Sequence, residues 1–108
     1  MVMYQLVFYV PESHCEHVKS ALFKAGAGKI GNYDSCAWQV LGQGQFRPLK
    51  KSHAFIGEVD QLERLAEYRV EMVCEKALIK TVLQALINAH PFETPAYSVI
   101  EIKSLQDF

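Results

Sequence analysis

The spacing of apolar residues along the chain switches between two periods, and the switches divide it into six pieces. Met3 to Val10 is rich in β-branched and aromatic side chains, which predicts a strand, and Pro11, lacking an amide hydrogen, ends it. A helix is expected at once. Ser13 precedes Glu16 by three residues in the pattern of a capping box, and Cys15, Val18, Leu22 and Ala25 then fall on one helical face. Gly26 stands where such a helix stops. From Ser35 to Phe46 the sequence SCAWQVLGQGQF alternates and carries Gly42 and Gly44, which predicts a hairpin-like or bulged pair of strand segments. Tyr68 to Glu75 alternates more cleanly, with Tyr68, Val70, Met72 and Cys74 on one face against Arg69, Glu71 and Glu75: a half-buried strand. Leu78, Val82 and Leu86 with Ile79, Leu83 and Ile87 form a wide apolar stripe, predicting a helix over about Lys76 to Ala89. The last strand is expected at about Ala96 to Ile102.

The order strand, helix, strand, strand, helix, strand is the split βαβ pattern of an α+β, ferredoxin-like sandwich, here with extra hairpin and loop material between the central strands. No linker, repeat or low-complexity segment interrupts it, so residues 1–108 are expected to form one such domain. Two helices can cover only one face of a four-stranded sheet. Self-association is the simplest cover for the other.

Composition narrows the partners. Half of the 108 residues are hydrophobic and 21% are charged, which suits a packed core and excludes a disordered or coiled-coil chain. Charges, prolines and glycines break every apolar run before the ~18 residues of a membrane span, and the apolar start MVMYQLVFYVPE reads as a strand, not a signal peptide. Eleven basic residues balance 12 acidic ones, so neither nucleic acid nor a membrane surface is an expected partner. Three well-separated cysteines, Cys15, Cys36 and Cys74, suit reduced, buried thiols of a cytoplasmic protein better than a disulfide framework.

Candidate chemistry is sparse. Gly26, Gly28 and Gly31 match G-x-G-x-x-G in letters, but they follow a helix and lead toward a strand, the reverse of the dinucleotide-binding context. A flexible turn whose glycines supply positive φ is the better reading, with Lys29 leaving room for a loop anion site. His14 and His17 are spaced for one metal ion but lie at a helix start without a third ligand, and His53 sits in a polar loop; all three read as solvated. The densest cluster is His90-Pro91-Phe92-Glu93-Thr94-Pro95-Ala96-Tyr97. Its prolines stiffen a turn holding an imidazole, a carboxylate and a phenol, groups that bind a metal or a polar small molecule; helix cap plus rigid turn is the plain alternative. No nucleophile elbow, Walker loop or H-E-x-x-H motif occurs.

Taken together, AGAGKIGNYDSCAW, GQGQFRPL, EYRVEMVC and HPFETPAY resemble the domain inserted into YqfO-like proteins, the Nif-three-like GTP cyclohydrolase I type 2 homologues, over Pro11 to Ile102. The chain looks like a short, free-standing version of it. The resemblance implies a fold similar to CutA and the signalling PII proteins, which are ferredoxin-like trimers, and HPFETP is similar to the His-Pro-Tyr-Glu turn of CutA. It also implies that any cyclohydrolase or dinuclear-metal chemistry lies in an outer domain that these residues do not include. Phe92 stands where the family usually has tyrosine, Thr94 where a second glutamate is common and Ser98 where an aspartate often follows, and Lys51 to Ala54 replace a stretch with glycine and proline. Lost carboxylates shift the weight from a metal site to a recognition surface.

The resulting expectation is a non-enzymatic, regulatory homo-oligomer, a trimer by resemblance, with no catalytic residue assigned. It would bind a small molecule at His90, Glu93 and Tyr97 beside Gly28, Gly31 and Tyr33, or a divalent metal through His90 and Glu93. Two further expectations come from other classes. One is a small enzyme using His90 as general acid or base with Glu93 orienting it. The other is an interaction module that docks on a hydrolase-like partner.

Overall fold

The computed structural model describes residues 2–108. Its sheet has four antiparallel strands: β1 (Met3–Pro11), β2 (Trp38–Phe46), β3 (Glu63–Glu75) and β4 (Tyr97–Ile102), in the spatial order β2-β3-β1-β4. Helices α1 (Cys15–Lys24) and α2 (Ile79–Ala89) connect β1 to β2 and β3 to β4, which gives the expected ferredoxin-like order. Both helices pack on one face of the sheet. The core there joins Leu6, Phe8 and Val10 of β1 and Val70, Met72 and Cys74 of β3 to Val18 and Leu22 of α1 and Val82 and Leu86 of α2. The residues from β3, α1 and α2 are ones the two periodicities selected, because a period of two and one of 3.6 each bring a single apolar face to the same interior, whereas β1 was expected from its β-branched and aromatic content alone.

Several local expectations are corrected. The predicted capping box at Ser13 and Glu16 does not form: a 3₁₀ turn at Glu12–His14 carries the chain into α1, the Ser13 hydroxyl bonds the His14 ring at 2.8 Å, and Glu16 pairs instead with Lys19 at 3.0 Å. Pro11 fixes the extended entry (φ −57°, ψ 145°) and does the work assigned to the cap. Helix α2 likewise begins after a 3₁₀ turn, at Lys76–Leu78. In place of the hairpin or bulged pair predicted over Ser35 to Phe46 there is a single strand that begins only at Trp38, and β3 starts at Glu63, five residues before the expected Tyr68. The early half of β3 is a ladder partner for β2 outside the main core, and its half-buried positions Glu63, Leu65 and Glu67 are mostly charged, so they give no apolar alternation to read. No helix among the described residues is long and apolar enough to cross a membrane.

The register leaves the second face of the sheet without helices. Gln5, Val7 and Tyr9 share it with Arg69, Glu71 and Val73, with Trp38 and Val40, and with Ile100. Val7 is nonetheless buried, and beside it Glu71 accepts from Gln5 at 2.9 Å and from Arg69 at 3.3 Å. Trp38, Val40 and Ile100 stay exposed.

Candidate functional site

The Pro11 end of the sheet is where the chain assembles its polar and aromatic groups. Helix α2 ends at His90, whose ψ of 136° turns the backbone out of the helix, as a residue before proline prefers. The His90 ring points inward and is 6% exposed. Its Nδ1 accepts the amide N–H of Phe92 at 3.1 Å, and its Nε2 lies 2.7 Å from the carbonyl oxygen of Tyr9. An amide can only donate, so Nδ1 must be bare and Nε2 must carry the proton it gives to Tyr9. Burial holds the imidazole below its ordinary pKa and so keeps it neutral.

Glu93, three residues on, faces another way. Its carboxylate accepts the backbone N–H of His53 at 2.9 Å, which ties the turn to the segment between β2 and β3. That segment is fixed at its own ends as well: the Asp60 amide donates to the Pro48 carbonyl at 2.7 Å, and the Ser52 hydroxyl to the Leu49 carbonyl at 2.7 Å. Phe55 lies with its ring edge-on to His14 at 5.3 Å and against Phe92 at 6.4 Å, and Phe92 meets Phe46 at 5.8 Å. Aromatic pairs at these separations prefer such tilted arrangements over face-to-face stacking.

Between these elements lies a cavity of about 410 Å³, within the range of small-molecule sites. Phe46, Phe55, Phe92 and Tyr9 form its apolar walls, and Glu67 and Glu93 are its two charged groups. Glu67 reaches it across β2. It stands opposite Gly42 in the ladder, and its carboxyl lies over Gly44, where a Cβ would collide with it. Burial pushes the Glu67 carboxyl above the usual carboxylate range.

The structure thus brings His90 and Glu93 into one turn but aims them at different partners, with both ring nitrogens of His90 engaged inside the fold. Among the described residues no three His, Cys, Asp or Glu side chains gather as a metal would require. Tyr97 pairs with Phe8 on the helix-side face of β4 and does not line the cavity. Gly28, Gly31 and Tyr33 lie elsewhere. The Gly28 amide donates to the Val73 carbonyl at 2.8 Å, and Val73 pairs with Gln5, four residues or ~13 Å along β1 from Tyr9. All three glycines of that loop do have positive φ, and Gly28 closes on Cys36 through a 2.8 Å bond, so the loop is a structural turn. Its Gly28 amide faces a strand and is closed to an anion. Cys15 and Cys74 are buried free thiols whose pKa burial raises, and Cys36 is half-buried.

Sequence reasoning missed Glu67, Gly44, Phe46 and Phe55. One signal was present: a glycine inside an alternating strand marks a close approach.

No family model matches the chain. The GTP cyclohydrolase 1 type 2 homolog of Bacillus subtilis (strain 168) is 43% identical over 99 residues, which are 92% of this chain and 26% of that protein. The crystal structure of a Bacillus cereus protein related to NIF3 superposes with a TM-score of 0.82 at 38% identity, over 95% of this chain and 26% of that one. The PII-like protein CutA from Nostoc sp. PCC 7120 superposes with a TM-score of 0.67 over 99% of this chain and 88% of its own; at 17% identity this likeness concerns the fold alone. The chain spans about a quarter of the length of the curated relatives it matches. It is therefore a homologue of one segment of the NIF3-related GTP cyclohydrolase 1 type 2 homologues, built on the ferredoxin-like fold of the CutA and PII-like proteins.

Proposed function

We propose that this chain is a non-enzymatic, oligomeric binding module whose cavity between β2, the 47–62 segment and the 91–96 turn holds a small organic ligand. The observation that carries the reading is the cavity itself: aromatic walls, few charged groups, and a lining turn pre-ordered by Pro91, Pro95 and the His90 bonds. In this reading His90 supports the site from beneath, and Glu93 fastens the loop that forms its outer wall. An apolar body of modest size suits such walls better than a bare metal ion, which needs several convergent oxygen, nitrogen or sulfur ligands. The open sheet face, with Trp38, Val40 and Ile100 exposed, supports self-association, and the CutA-like fold favours three copies. The free cysteines fit a reducing, cytoplasmic setting.

A ligand-detected NMR screen of small aromatic fragments, with copper and zinc titrated in parallel, tests the reading. Fragments that bind the native chain and are lost when Phe92→Ala opens the wall are the expected result. Metal binding at micromolar levels with no fragment bound would contradict it.

A further inference from the structure

We infer that the cavity selects organic amines: ligands that carry an ammonium group on an apolar, ring-sized body. This deepens the proposed binding function and rests on it. The sign of the site comes from its charged groups. Glu67 and Glu93 line it, and no lysine, arginine or histidine does. The nearest cation on the same strand face, Arg69, is already turned to Glu71 at 3.3 Å and to the Tyr9 hydroxyl at 3.5 Å. A negatively charged ligand would meet two carboxylates with no counter-charge in the walls.

The walls point the same way. Ring faces carry negative quadrupole density and attract an ammonium held within ~6 Å, so Phe46, Phe55, Phe92 and Tyr9 favour a cation as well as an apolar body. Glu67 is the anchor. Its carboxyl makes no hydrogen bond to another side chain or to the backbone among the described residues, whereas Glu93 is spent on the His53 amide. Burial raises the pKa of this carboxyl, and a cationic partner acts in the opposite direction by favouring its ionised form. The position of that carboxyl depends on Gly44: the strand could carry alanine there without backbone strain, but the methyl would displace the end of the Glu67 side chain.

Isothermal titration of the native chain with phenethylamine, phenethyl alcohol and phenylacetate tests this, since the three share one ring and differ in charge. The amine is expected to bind about tenfold more tightly than the alcohol, and phenylacetate more weakly than either. Glu67→Gln should bring the ratio of amine to alcohol affinity close to one, and an unchanged ratio in that variant overturns the assignment of Glu67 as the anchor. Gly44→Ala, with an unchanged melting temperature, should do the same. Equal binding of amine and alcohol by the native chain, or a preference for phenylacetate, overturns the amine assignment and leaves the cavity as a binding site. Absence of binding by all three at millimolar concentration also overturns it, while the broader reading answers to the fragment screen.

Discussion

The Nε2 of His90 sits 2.7 Å from the carbonyl oxygen of Tyr9, so a side chain at the end of α2 closes a backbone acceptor of β1. Together with the bond from the Phe92 amide, this makes the imidazole a bracket between helix, strand and turn. The bracket works only in the neutral form, because a proton on Nδ1 would leave two donors facing each other at Phe92.

Stability should therefore fall on mild acidification. The folded pKa of His90 lies below its ordinary 6.5, chiefly through burial, with the nearby His14 acting in the same direction and the Tyr9 carbonyl opposing both. Between the folded value and 6.5 the unfolded chain binds more protons, so this contribution is complete above 6.5 and declines as pH falls toward the lowered value. Denaturant midpoints from neutral pH downward should show this decline. His90→Ala should remove the part of it due to this residue and cost about 2 kcal/mol at neutral pH, from the buried groups left unpaired.

Gly28→Val tests the structural reading of the glycine loop. At φ +77° a β-branched residue is strained, and the new Cβ would lie 2.7 Å from the Phe23 ring and 3.0 Å from the Cys36 carbonyl oxygen. A loss of about 1 to 3 kcal/mol in chemical denaturation is expected. Fragment binding at the cavity should survive it, because the loop lies toward the other end of β1.

Gly44→Ala should behave in the opposite manner, with little change in stability and a change at Glu67. The three atoms nearest to its Cβ all belong to the Glu67 side chain, from the carboxyl to the Cγ, and none to the backbone. NMR titration of the Glu67 carboxyl should find its pKa raised in the native chain and moved back toward 4.5 in the variant, as the group is pushed toward water.

The uncovered sheet face predicts assembly. Light scattering should give a mass well above the 12.2 kDa of one chain, with three copies favoured, and Trp38→Glu should shift the population toward monomer. A monomer at micromolar concentration in the native chain would remove this part of the account.

Much of the core was legible in the sequence because Val70, Met72 and Cys74, Val18 and Leu22, and Val82 and Leu86 each obey the period of their own element, while the unbroken apolar run from Leu6 to Val10 in β1 announced a strand without saying which face Leu6, Phe8 and Val10 would take. The HPFETP turn was legible too, because two prolines in six residues announce a rigid connection. What His90 does there was not. The letters show an imidazole near a carboxylate, while its direction depends on the distant Tyr9 carbonyl. Glu67 reads as one more polar position of an exposed strand, and only the β2–β3 register places it over Gly44. Phe46 and Phe55 meet Phe92 across 46 and 37 positions of chain, a relation that no local pattern contains.

The location of the ligand site is tested most directly by a map of backbone amide shifts in the native chain as a fragment that binds in the NMR screen is added. The perturbed amides are expected to cluster at Gly44 to Phe46, Ser52 to Phe55 and Phe92 to Ala96, the segments that enclose the cavity. Perturbations centred on Gly28 to Tyr33, with those segments silent, would contradict that location.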